Sequence, residues 1–122
     1  MTHTKREPRT LFVDIDGTLA INNGRSPFDW ARVGEDTCDQ VVKQMVDGFS
    51  SNHQVIVLSG RDGCCYDLTK QWLDDNDIYY DCLLMRAAGD MRKDYIVKGE
   101  IFAKYIKGNY NVVAVIDDRP QV

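Results

Sequence analysis

The chain has 122 residues, 43% of them hydrophobic and 28% charged, with a net charge of −4. These values fit one folded domain with a single core. The acidic balance argues against a long electrostatic grip on a nucleic acid backbone, and the apolar run near the end, Val112 to Ile116, is far too short to cross a bilayer. Residues 1–9 lack the apolar centre of a secretory signal and read as a disordered lead-in, which leaves residues 10–122 as the domain. Cys38, Cys64, Cys65 and Cys82 show no Cys-x-x-Cys spacing, and only His3 and His53 accompany them. Reduced thiols in a cytoplasmic protein, rather than a zinc site, are expected.

In chain order, Leu11-Phe12-Val13 reads as a strand buried on both faces. It ends in Asp14-Ile15-Asp16-Gly17-Thr18, two carboxylates one residue apart and then a turn. A turn-rich loop follows, Asn22 to Pro27. The spacing of Val41, Val42, Met45, Val46 and Phe49 predicts a helix over about Cys38 to Phe49. Val55 to Leu58 is a second buried strand, ending in Ser59-Gly60-Arg61. A helix over about Cys65 to Asp74 presents Leu68, Trp72 and Leu73, and Asp81 to Met85 is a short third strand. Asp94 to Lys107 reads as a helix with Ile96, Val97, Ile101, Phe102 and Ile106 inward. Val112 to Ile116 is a fourth strand, ending in Asp117-Asp118-Arg119. Strands alternating with helices predict an α/β fold: a Rossmann-like three-layer sandwich around a central parallel sheet.

In such a sheet all strand carboxyl ends lie on one edge, where α/β proteins bind ligands. That edge gathers Asp14, Asp16, Ser59, Arg61, Asp117 and Asp118. A lone polar strand end followed by a glycine turn is unremarkable; three such ends on one edge are not. Carboxylates this close repel, and a metal ion, a shared proton or a phosphoryl group relieves the repulsion. The set suits metal-assisted phosphoryl transfer. Asp14 is the expected nucleophile, forming an aspartyl-phosphate, beside a Mg²⁺ ion that favours carboxylate oxygens. Asp16 is expected to protonate the leaving alkoxide and then to take a proton from the hydrolytic water. Ser59 would hydrogen-bond a phosphoryl oxygen, and Lys98 would neutralise transition-state charge. Asp94 precedes Lys98 by four residues, one helical turn, and can orient its ammonium group. Spacing alone leaves an ordinary surface ion pair equally open for that pair.

These residues resemble the four motifs of haloacid dehalogenase-type phosphatases: Asp14-x-Asp16-Gly17-Thr18, Ser59, Lys98 and Asp117-Asp118. The likeness is more specific. Asn23-Gly24-Arg25-Ser26-Pro27-Phe28-Asp29-Trp30, Ser59-Gly60-Arg61, Gly89 to Asp94 with Lys98 to Phe102, and Ile116 to Arg119 resemble the phosphatase half of phage-type polynucleotide kinase-phosphatases, over about residues 10 to 122. That family removes 3′-phosphates from DNA and RNA ends, and 2′,3′-cyclic phosphates in some members, using Mg²⁺. The resemblance implies nucleic acid 3′ ends as partners in end repair. It implies a catalytic set of Asp14, Asp16, Asp94, Lys98 and Asp117, and phosphate ligands in Thr18, Arg25, Ser59, Arg61 and Lys98. Asp14, the main-chain carbonyl of Asp16, and Asp118 become metal ligands, with Asp117 or Asp118 open as the one that touches the ion. It implies a cytoplasmic enzyme, in host cytoplasm if phage-encoded.

Neither about 20 residues after Thr18 nor the stretch from Asp62 to Lys93 provides a sizeable cap domain. An open site fits a polymer end better than a small metabolite, since small-substrate phosphatases commonly close a lid over the site. Tyr66, Trp72, Tyr79 and Tyr80 could stack on bases, though core or ordinary surface placement is the simpler expectation. From Arg86 to Gly108, six Lys or Arg stand against three Asp or Glu. No Gly-x-x-x-x-Gly-Lys-Ser/Thr stretch occurs, so these residues hold no P-loop; a stand-alone phosphatase or a fragment of a larger enzyme is expected. Family members continue past Asp118 with a helix and a strand. Without them a sheet edge is left open, which a second copy in a homo-oligomer could close. Two alternatives stand beside the polynucleotide 3′-phosphatase: a phosphatase of small molecules such as nucleotides, and an inactive module that binds phosphorylated ends.

Overall fold

The computed structural model describes residues 9–108 and 110–117. The expected lead-in lies almost wholly outside them. Four parallel strands form the central sheet: β1 (Arg9–Val13), β4 (Gln54–Asp62), β5 (Cys82–Arg86) and β6 (Asn111–Ile116), in the spatial order β5-β4-β1-β6. Three α-helices connect them: α1 (Gln40–Ser50) between β1 and β4, α2 (Tyr66–Asp75) between β4 and β5, and α3 (Asp94–Ile101) between β5 and β6. The first two crossovers run in one direction along the sheet and the third returns past β1. With right-handed connections, α1 and α2 cover one face and α3 the other, as the three-layer expectation requires.

At β1 and β4, the middle of the sheet, both faces are covered. Leu11, Val13, Val55 and Val57 join Val46, Trp72 and Leu73 in one core cluster. On the opposite side Phe12 stacks on Phe102, with ring centroids 6.1 Å apart. Burial on both sides explains why β1 and β4 read as unbroken apolar runs rather than alternating ones.

The remaining differences from the sequence reading have local causes. Thr37–Cys38 is not helical; as β3 it pairs antiparallel with β2 (Ala20–Ile21), and a 3-10 segment, Trp30–Glu35, precedes it. The small ribbon and its 3-10 segment fill the stretch in which no large cap was expected. Helix α1 then starts at Gln40, because the Asp39 carboxylate accepts from the Val41 and Val42 N–H groups at 3.0 and 3.1 Å, a cap worth about 1 kcal/mol. Strand β4 runs on through Ser59 to Asp62, its polar end carried by pairing with β5 and irregular in register between Ser59 and Asp62. The expected helix to Lys107 is α-helical only to Ile101. Phe102–Ile106 is a π-helical turn that brings Ile106 into the interior. Val41, Met45, Leu68 and Ile96, expected to face inward, are exposed at the margins of their helices' apolar faces. Strand β6 lies at the end of the sheet order, with Val113 and Val115 exposed. The four cysteines are free thiols, and among the described residues no helix is long and apolar enough to cross a membrane.

Candidate active site

The strand order reverses between β1 and β6, so the crevice beyond their carboxyl ends is the topological switch point where open α/β sheets bind ligands. The Asp14 N–H donates to the Ile116 carbonyl at 3.0 Å. This bond aligns the two strand ends and sets Asp117 beside Asp14. Asp14 itself is 7% exposed, and Lys98 Nζ donates to its Oδ1 at 3.0 Å. Lys98 also pairs with Asp94 Oδ2 at 3.3 Å, one turn earlier on α3. The i, i+4 spacing is therefore no ordinary surface pair; it carries an ammonium group from α3 to the end of β1. Burial pushes the Asp14 carboxyl from its ordinary 3.8 up to about 6; Lys98 works against that shift and the nearby charge of Asp117 adds to it. Burial pulls Lys98 down, but Asp14 and Asp94 outweigh it and leave the ammonium group raised above its ordinary value.

Asp16 meets different cations. Gly17, at φ +78°, turns the chain immediately after it. Arg61 donates from Nε to both Asp16 carboxylate oxygens at 3.2 and 3.1 Å, and from Nη2 to Oδ1 at 2.9 Å. Arg25 Nη2 stands 3.7 Å from the same oxygen. Behind them lies Asp36. Its carboxylate takes a two-pronged contact from Arg25, 2.9 Å at each oxygen, and a further 2.9 Å bond from Arg61 Nη2. Arg61 also donates to Thr69 Oγ1 at 3.2 Å, and Trp72 Nε1 donates to the Asp36 carbonyl at 2.8 Å. The Asp36 carboxylate raises the Arg25 guanidinium further still.

The structure thus brings together Asp14, Asp94, Lys98 and Asp117 as one group, and Asp16, Arg25 and Arg61 as another. Ser59 is fully buried, and its Oγ accepts from the Arg61 N–H at 3.1 Å. Thr18 Oγ1 is buried without a hydrogen-bond partner among the described residues. Asp118 lies outside the described residues. The side chains of Arg25 and Arg61 are almost fully buried, and carboxylates, carbonyls and a threonine hydroxyl occupy most of their N–H groups. Here they brace Asp16. Asp36 escaped the sequence reading altogether. Its partners lie 11 and 25 residues away, and no spacing rule links positions across a ribbon and a strand end. Of the four aromatics, Tyr66 and Tyr79 are exposed. Trp72 is buried, while the Tyr79 and Tyr80 hydroxyls donate to Asp81 and Asp74.

The chain is similar to known proteins. A family model described as the polynucleotide kinase PNKP phosphatase domain matches residues 8–122. A protein of Autographa californica nuclear polyhedrosis virus, named as a bifunctional polynucleotide kinase/RNA ligase, is 38% identical over 94% of this chain. Two structures of Pnkp1/Rnl/Hen1 complexes, one named as an RNA repair complex, each contain a chain that aligns with all of this one at a TM-score of 0.92 and 36% identity. The chain spans 17% of the viral protein's length and 40% and 43% of the two structural relatives. A match across nearly every residue, with the fold and the carboxylate-bearing strand ends expected from the motifs, makes this chain a member of the polynucleotide kinase PNKP phosphatase-domain family.

Proposed function

We propose that the domain is a Mg²⁺-dependent polynucleotide 3′-phosphatase acting in nucleic acid end repair through an aspartyl-phosphate. The observation that carries this reading is the seat of Asp14: a buried carboxylate at the end of a central strand, bonded to one lysine that a second carboxylate braces. Asp14 attacks phosphorus, and the bond from phosphorus to the 3′ oxygen breaks as Asp16 gives that oxygen a proton. Asp16 then accepts a proton from the water that attacks the acyl-phosphate, freeing phosphate and restoring Asp14. Lys98 neutralises charge at the phosphoryl group, and Asp94 keeps its ammonium in place. Thr18 Oγ1 and the Ser59 hydroxyl are suited to hydrogen-bond phosphoryl oxygens, while Arg25 and Arg61 hold Asp16 in position. The donors fit a hard cation: Asp14 and Asp117 present carboxylates whose charges oppose one another, which a divalent ion relieves. Asp14, the main-chain carbonyl of Asp16, and Asp117 or Asp118 would hold it. When bound, Mg²⁺ supplies positive charge that lets an anionic carboxylate approach an anionic phosphate.

No large cap is built among the described residues, which supports a polymer end as substrate, and the likeness to a polynucleotide kinase/RNA ligase and to an RNA repair complex supports RNA or DNA termini. A cytoplasmic setting fits these relatives and the free thiols. The test compares phosphate release from a 3′-phosphorylated oligonucleotide with release from a 3′-mononucleotide, each with Mg²⁺ and with EDTA. Metal-dependent release favouring the oligonucleotide is expected. Equal hydrolysis of the mononucleotide would replace the polymer-end assignment with a small-molecule phosphatase, and no release from folded protein would leave a module that binds ends.

A further inference from the structure

We infer that Gly60 and Arg86 form the seat that positions Asp94, and through it Lys98, against the nucleophile. The inference deepens the phosphatase reading and relies on it for its turnover measurement. Gly60 has no unusual backbone angle that would call for glycine. What it lacks is a side chain, and a Cβ built there would overlap Asp94 Oδ1. Helix α3 therefore packs its first carboxylate directly onto the β4 backbone, an approach open only to glycine. Its neighbours at the strand end, Ser59 and Arg61, already belong to the site, so Gly60 joins the two carboxylate groups at one point of the chain.

Arg86 fixes the other side of this joint. From the end of β5 its Nε donates to the Gly60 carbonyl at 2.7 Å. Its Nη1 donates to the carbonyls of Asp90 and Arg92, at 2.8 and 2.7 Å, in the loop that leads into α3. Nη2 stands 3.6 Å from Asp94 Oδ1. One guanidinium thus ties strand end, loop and carboxylate together, with the planar, multi-donor geometry that lysine lacks. The loop is held a second time, since Asp62 accepts from the Gly89 and Cys64 N–H groups at 3.0 and 2.8 Å. Those two bonds lower the Asp62 carboxyl below its ordinary value. Helix α3 begins without a side-chain cap, so this clamp sets where its first turn, and hence Asp94, comes to rest. Lys98 follows one turn later.

Gly60 and Arg86 touch no reacting atom; they are positioning residues. The overlap at Gly60 is with the tip of a side chain, so Gly60→Ala should fold and push the Asp94 carboxylate aside. The test pairs crystal structures of Gly60→Ala and Arg86→Ala with steady-state turnover of a 3′-phosphorylated oligonucleotide. Lys98 Nζ is expected to leave Asp14, beyond the ion-pair limit of about 4 Å. Turnover is expected to fall up to about 10²-fold, the usual cost of misplacing a catalytic group by an ångström, with KM changed by less than about twofold. In an Asp94→Ala background, where the displaced carboxylate is gone, Gly60→Ala should add less than about twofold. Preserved Lys98–Asp14 contact in both variants would overturn the inference, as would a full additional loss from Gly60→Ala in the Asp94→Ala background. Should the wild-type protein fail to hydrolyse the oligonucleotide, the phosphatase reading falls, while the Lys98–Asp14 distance in the two variants still decides the positioning role.

Discussion

Asp14 and Asp16 are separated by one residue, yet the cations that hold them differ in kind, number and burial. Among the described residues Asp14 meets one lysine, carried in by α3 on a flexible stem and partly open to solvent. Asp16 meets a buried arginine from β4, with a second arginine close by and a fully sequestered carboxylate, Asp36, behind both. Lysine is a compact point charge that can follow a changing ligand; arginine is a planar fork that fixes one orientation. The difference teaches how one strand end can serve two purposes. The carboxylate expected to change its covalent state sits against an adaptable partner, and the one expected to move a proton sits in a rigid frame.

The largest effect should come from breaking the rigid half. Asp36→Ala removes the carboxylate shared by two buried guanidiniums and leaves their charges opposed. A loss of about 3–5 kcal/mol is expected, read as a lowered urea midpoint at unchanged slope. A change near zero would mean that water or other acceptors replace Asp36, and that the frame is not rigid.

A smaller effect sharpens the adaptable half. The Asp14 carboxyl is raised in the folded protein from 3.8 to about 6, chiefly by burial. Between those values the folded state holds a proton that the unfolded chain has released. Stability should therefore fall as pH rises from about 4 to about 6, by at most about 3 kcal/mol. Lys98, raised from an already high value, does not titrate in that window. Urea unfolding of metal-free protein at pH 4.5 and pH 7, compared with Asp14→Asn, isolates the contribution: the variant should lack this part of the slope. Identical slopes in the two proteins would show that Asp14 carries no such burden.

The division between the halves also marks what could be read from sequence. The adaptable half was largely legible. Asp14 and Asp117 close apolar runs, and Asp94 and Lys98 stand one helical turn apart, so strand ends and helical spacing name them. Only the target of Lys98 needed the fold, because nothing local tells an i, i+4 pair that it also reaches 84 residues back along the chain. The rigid half was legible in its arginines but not in their use. Arg25 and Arg61 suggest phosphate ligands, and nothing in their spacing tells that Asp36 lies between them. Asp36 lies between a 3-10 segment and a two-residue strand, where no hydrophobic period marks a position as inward. The early end expected for β4 has a similar cause. Its last residues are polar, and pairing with β5, not composition, keeps them in the sheet.

The central claim is that Asp14 becomes covalently phosphorylated. The direct measurement is a single turnover with a radiolabelled 3′-phosphate, quenched in acid, with the protein digested and the labelled peptide identified. The account predicts transient label on the peptide containing Asp14, and neither label nor turnover in folded Asp14→Asn. Turnover that survives Asp14→Asn, with no label on the wild-type protein, would contradict it.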